Sequence, residues 1–172
     1  MNLANKITTF RILLIPLFLY FMYVDIKYHI LIATIIFIFA SFTDSLDGYI
    51  ARSRNEVTKF GKFLDPLADK LMVIAALMAL VEIERVDGWI VMVIIARELI
   101  ITGLRAVAAT DGVVIAASNW GKIKTVTQII AVIAALLNIP YYNVLVIIAL
   151  ITTVFSGMDY IYKNRKILDS NK

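Results

Sequence analysis

The chain has 172 residues, 61% of them hydrophobic and 17% charged, with a formal net charge of +4. A soluble domain carries about 45–50% apolar and about 25% charged residues, so this apolar excess is more than one water-soluble core takes up and points to lipid. The absence of cysteine excludes disulfides and thiolate zinc sites, a single histidine (His29) excludes a His-rich centre, and the basic balance fits cytoplasmic loops and anionic headgroups rather than nucleic acid.

Six apolar segments follow one another, each near the length of about 20 residues that crosses a bilayer. They are expected at 7–24, 29–52, 62–83, 88–109, 119–138 and 141–162. The connections at 25–28, 82–87 and 139–140 are short, and those at 53–61 and 110–118 are longer and polar. This alternation predicts an all-α, integral membrane bundle of six transmembrane helices, a single domain over 1–172. Lys6 and Arg11 give the first segment the look of a secretory signal. Residues 24–28 lack the small side chains of a cleavage site, so the segment is expected to be retained, with Pro16 a tolerated kink. Of the 17 lysines and arginines, only Lys27 and Arg85 fall on the side opposite the termini. The positive-inside rule therefore predicts a multi-pass protein of the cell membrane with both termini in the cytoplasm.

Acidic residues gather at one boundary. Asp44 and Asp47 are three apart near the end of the second segment, and Asp65 and Asp69 are four apart near the start of the third. Either spacing puts a pair on one helical face, and the intervening turn would bring the two faces together. Each charge inside a membrane segment costs about 2.5–3.5 kcal/mol on insertion scales, and Asp44 and Asp47 also meet the unfavourable end of a helix dipole. Divalent cations would offset that cost and bind a diphosphate. With no thiolate and one imidazole, the ligands must be oxygens, which suits Mg²⁺, Ca²⁺ or Mn²⁺. The plainer alternative is interfacial pairing of the acids with Arg52, Lys62 and Lys70. Gly48 and Gly61 permit close approach of a ligand or serve helix packing. Arg52 can reach a phosphate or act as a snorkelling anchor.

The run from Asp44 to Asp69 resembles the motif of the CDP-alcohol phosphatidyltransferase family, D-x2-D-G-x2-A-R-x8-G-x3-D-x3-D, at every defining position. The resemblance implies that Asp44, Asp47, Asp65 and Asp69 hold one or two divalent ions, Mg²⁺ or Mn²⁺, on the diphosphate of CDP-diacylglycerol. It implies that Asp69 is the general base, that Gly48, Arg52, Thr58 and Gly61 line the CDP-lipid site, and that the protein is a homodimer.

Acceptor choice must come from polar residues elsewhere. Arg97 and Glu98 stand about 14 Å into the fourth segment at 1.5 Å per residue and should face an internal cavity, as ligand contacts or as an internal ion pair. Arg105, Lys122 and Lys124 could complete a cationic pocket beside the metals, suited to an acceptor that carries its own phosphate. Snorkelling is the alternative for both lysines. Within the family, Ala96-Arg97-Glu98 with Arg105, Gly121-Lys122-Ile123-Lys124-Thr125 with Gln128, and Asn5-x-x-Thr8-x-x-Arg11 look like the members that form phosphatidylglycerophosphate. The implied acceptor is sn-glycerol 3-phosphate. The same chemistry on an inositol phosphate, serine or a phospholipid is one competing reading, and a cation transporter is another. Acids clustered at one boundary argue against a transport pathway.

Overall fold

A computed structural model of the chain describes the backbone of residues 3–54, 59–110, 115 and 118–165, with side chains over 9–43, 70–109, 115 and 118–165. Six α-helices make up the described chain: α1 Leu3–Tyr23, α2 His29–Arg54, α3 Lys59–Glu82, α4 Gly88–Thr110, α5 Asn119–Leu136 and α6 Tyr142–Lys163. There is no strand among the described residues. The expected order holds, but α2 runs two residues past its apolar stretch and α3 starts three residues before its own. Hydropathy marks where lipid would end. Helical hydrogen bonding continues past it, through Ser53 and Arg54 in α2 and from Lys59 in α3.

The ends between the helices are set by local chemistry. At the end of α3, the Arg85 amide donates to the Leu80 carbonyl at 2.9 Å and the Glu84 amide to Val81 at 3.0 Å, with Glu84 at φ 58°. This is a Schellman closure, in which the left-handed position is more often glycine. Ser118 caps α5: its Oγ accepts from the Gly121 amide at 3.1 Å, satisfying one of the helix's open N–H groups. Asp87 opens α4 through its carbonyl, which accepts from Ile90 at 3.1 Å.

The contacts group into two compact units. The first covers Met1–Arg85 with Leu136–Ile139, and the second Val86–Ala135 with Pro140–Lys172. In the first, α1 packs on α2 and α3. Leu14, Phe18 and Met22 form its inner stripe, facing Ala33, Phe37 and Ala40 of α2 and Met72, Ala76 and Ala79 of α3. The Phe18 and Phe37 rings lie 6.3 Å apart. Alanines on two of the three helices let backbones approach closely, the pattern of helices that associate without a hydrophobic drive. Tyr23 donates to Glu82 at 2.5 Å and ties the far ends of α1 and α3.

In the second unit α4 packs on α6. Its interior mixes polar with apolar groups: Glu98, Lys124, Gln128, Thr153 and Ser156 are buried along with Ile94, Val132 and Ala149, while Met92, Leu99, Ile130, Ile151 and Phe155 are exposed. A water-exposed surface would cost about 25 cal/mol for each Å² of such apolar area left uncovered, whereas lipid tolerates it. Of the described helices, α6 alone is long and apolar enough by itself to cross a membrane; Thr9–Tyr23 and His29–Thr43 are shorter apolar helices.

Candidate functional site

The motif aspartates divide between two helices of the first unit. Asp44 and Asp47 lie on α2, and Asp65 and Asp69 on α3, with residues 55–58 between the helices. The side chains of Asp44, Asp47, Gly48, Arg52, Gly61, Asp65 and Asp69 lie outside the described residues, as do those of Asn5 and Thr8 and the whole of Thr58. Arg11 is described, and it is buried in α1 at 3% exposure. Among the described residues no group of three or more His, Cys, Asp or Glu side chains could hold a metal ion.

The second unit contains a polar centre built by three helices. Glu98 on α4 is its hub. Its Oε1 accepts from Lys124 Nζ on α5 at 2.5 Å and from Arg97 on the adjacent position at 3.0 Å. The three side chains are only 8–12% exposed. Two cations thus share one carboxylate oxygen away from solvent, where charge attraction is far stronger than in water. Arg97 spends a second N–H on Ser156 of α6, 2.7 Å away. Arg105, two turns further along α4, donates through Nε to the Tyr160 hydroxyl at 3.0 Å, with its guanidinium carbon 5.5 Å from that ring's centre.

Beneath this centre α5 and α6 are cross-linked by hydrogen bonds. Gln128 donates to Thr153 at 2.9 Å, Thr153 donates on to the Ala149 carbonyl at 2.6 Å, and the Thr127 and Thr152 hydroxyls meet at 2.8 Å. Every buried hydroxyl in this ladder has a partner, so it can hold the helices in one register without an orphaned group.

The structure brings Arg97 and Lys124 onto one carboxylate, and it sets Lys122 apart from them. Two helical positions rotate a side chain by about 200°, and Lys122 is exposed while Lys124 is buried. Thr125 is also exposed, its hydroxyl bonded back to the Gly121 carbonyl at 3.0 Å. Gln128 is buried and engaged with Thr153. Sequence reasoning missed Ser156, Gly157 and Tyr160. A signal existed: Ala149, Thr153, Ser156, Gly157 and Tyr160 recur at helical spacing in α6 and form its buried face.

The CDP-alcohol phosphatidyltransferase profile matches residues 1–155, most of the chain. The chain belongs to the CDP-alcohol phosphatidyltransferase family. Among its relatives, the CDP-diacylglycerol--glycerol-3-phosphate 3-phosphatidyltransferase of Bacillus subtilis is 46% identical over 190 aligned positions, covering 99% of this chain and 98% of the relative. The proteins of the same name from Haemophilus influenzae and Pseudomonas fluorescens are 41% and 38% identical, over 93% and 91% of this chain and 91% and 83% of their own lengths. As a CDP-alcohol phosphatidyltransferase the protein is an enzyme, and both of its units fall within the stretch that its relatives share.

Proposed function

We infer that the protein transfers a phosphatidyl group from CDP-diacylglycerol to sn-glycerol 3-phosphate, giving phosphatidylglycerophosphate and CMP. The observation that carries this is the near full-length similarity to relatives that bear this activity in their names. The complete aspartate motif in α2 and α3 and the buried Arg97–Glu98–Lys124 centre agree with it.

The chemistry is a phosphoryl-group displacement. A hydroxyl of glycerol 3-phosphate attacks the phosphorus that bears the diacylglycerol, a new P–O bond forms, and the bond to CMP breaks. Asp69 takes the proton of the attacking hydroxyl as general base. Asp44, Asp47, Gly48, Arg52, Thr58, Gly61 and Asp65 bind the CDP-lipid, with Arg52 on a phosphate. Arg97, Arg105 and Lys124 take the acceptor's own phosphate, since guanidinium and ammonium groups bind phosphate oxygens by charge-assisted hydrogen bonds. Lys122, at the exposed edge of α5, attracts that anion as it approaches.

The donor set of the motif, four carboxylates in a chain without cysteine and with one histidine, fits hard divalent ions such as Mg²⁺ or Mn²⁺ and does not fit zinc of the thiolate kind. Asp44, Asp47, Asp65 and Asp69 would hold them, and bound ions would offset the diphosphate's charge and stabilise the departing CMP.

The same proposal places all six helices across the cell membrane with both termini and the site at the cytoplasmic face. It is supported by the apolar exposed faces of α1, α2, α4 and α6 and by the Lys/Arg asymmetry. A homodimer completes it, on the family resemblance. The deciding experiment supplies purified protein with CDP-diacylglycerol, glycerol 3-phosphate and Mg²⁺ and follows CMP release. Asp69→Asn should abolish release while leaving the helical content intact. Undiminished activity in excess chelator would end the metal assignment, and CMP release with another alcohol but not with glycerol 3-phosphate would end the acceptor assignment.

A further inference from the structure

We propose that Ser156 and Gly157 of α6 are positioning residues that set the acceptor's phosphate site by seating Arg97; this rests on the acceptor reading above. Arg97 is held from two sides. One terminal nitrogen donates to Glu98 at 3.0 Å and the other to the Ser156 hydroxyl at 2.7 Å. Between these anchors its stem crosses α6 at Gly157, where an added Cβ would stand 3.1 Å from Arg97 Cγ and 3.8 Å from Nε. A contact of 3.1 Å is tighter than ordinary packing, so any larger residue at 157 must move the arginine. The neighbour that would give way is a long cationic side chain, not a backbone, and its displacement carries the guanidinium with it.

The seat also explains a costly feature. Arg97 Nε is buried with no hydrogen-bond partner among the described residues, and it lies over the bare Cα of a glycine, where there is no acceptor. Buried donors are seldom left so. Here the orphan follows from aiming the rest of the fork. Of the five N–H donors of a guanidinium, two have partners among the described residues, both at its ends, which fixes the plane of the group. Phosphate recognition by arginine depends on that plane, because its two parallel bonds have little tolerance for rotation. Tyr160, one turn past Ser156, receives Arg105 on the same α6 face. One face of α6 therefore holds two arginines of α4, Arg97 through Ser156 and Arg105 through Tyr160.

The test is steady-state kinetics of Ser156→Ala and Gly157→Ala in the full-length protein, with each substrate varied in turn. Each variant should raise KM for glycerol 3-phosphate about tenfold, the scale of one hydrogen bond to a charged group, and leave KM for CDP-diacylglycerol unchanged. Ser156→Ala placed in an Arg97→Met background should add nothing further, because it acts through Arg97. The proposal is overturned if Ser156→Ala leaves the acceptor KM unchanged, if both KM values rise together, or if its effect persists without Arg97. Should Gly157→Ala fail to fold, Ser156→Ala decides alone. Wild-type protein that is inert towards glycerol 3-phosphate would instead refute the acceptor reading, and this proposal would fall with it.

Discussion

Replacing Glu98 by glutamine keeps the shape of the polar centre and removes the one carboxylate that Arg97 and Lys124 share. At an effective dielectric constant of about 20, unit charges about 3 Å apart attract by about 5–6 kcal/mol before solvation is counted. Desolvation of three side chains that are only 8–12% exposed offsets most of this. The variant is asymmetric, however: it leaves two cations side by side in the interior, and taking one partner from a buried pair costs about 3–5 kcal/mol. We expect Glu98→Gln to lose about 3 kcal/mol in reversible unfolding from mixed micelles. Lys124→Met should lose a similar amount, and the double variant clearly less than the sum, with a coupling of about 1–3 kcal/mol. A Glu98→Gln protein within about 0.5 kcal/mol of wild type, with losses that simply add, would show that charge does not hold this centre together.

Lys122→Met, at an exposed position of α5, should change stability by no more than about 0.5 kcal/mol, whereas Lys124→Met, two residues on, should also raise the acceptor KM; equal effects from the two would contradict the division of α5 into a buried and an exposed side. Glu84→Gly, at a left-handed position with φ 58°, should stabilise the protein by about 0.5–1 kcal/mol, read as a raised unfolding midpoint. Because the chain has no cysteine, single cysteines report topology without background. Tyr28→Cys should react with an impermeant thiol reagent from outside intact cells and Lys172→Cys only after permeabilisation; labelling of both from one side would refute five crossings between them, one for each of α2 to α6. In the same unfolding assay, Ser118→Ala should cost about 1 kcal/mol through loss of the α5 cap.

Much of this was readable before any coordinates. The six helices are legible because long apolar runs bounded by polar residues mark them, and the chain's helices fall within a few residues of those segments. The aspartate motif is legible because its residue types and spacings are unusual and costly in an apolar chain. Residues 53–61 are the instructive miss: a polar stretch there suggested a longer connection than the helices leave, since α2 continues to Arg54 and α3 begins at Lys59. Lys122 and Lys124 show what nearness in sequence leaves undecided: helical rotation puts Lys124 inside and Lys122 outside.

By itself, then, the amino-acid order determined the six helices of the described residues and the family, because these depend on local composition and on residues close together in the chain. Only tertiary structure decided which groups Arg97, Arg105 and Lys124 meet. Their partners Ser156, Tyr160 and Glu98 lie up to 59 positions away along the chain, and the helical spacing that marks the buried face of α6 does not say which side chains that face meets. The physical reason is that a buried cation is defined by whatever meets it in space, and the packing of α4 against α6 makes that choice.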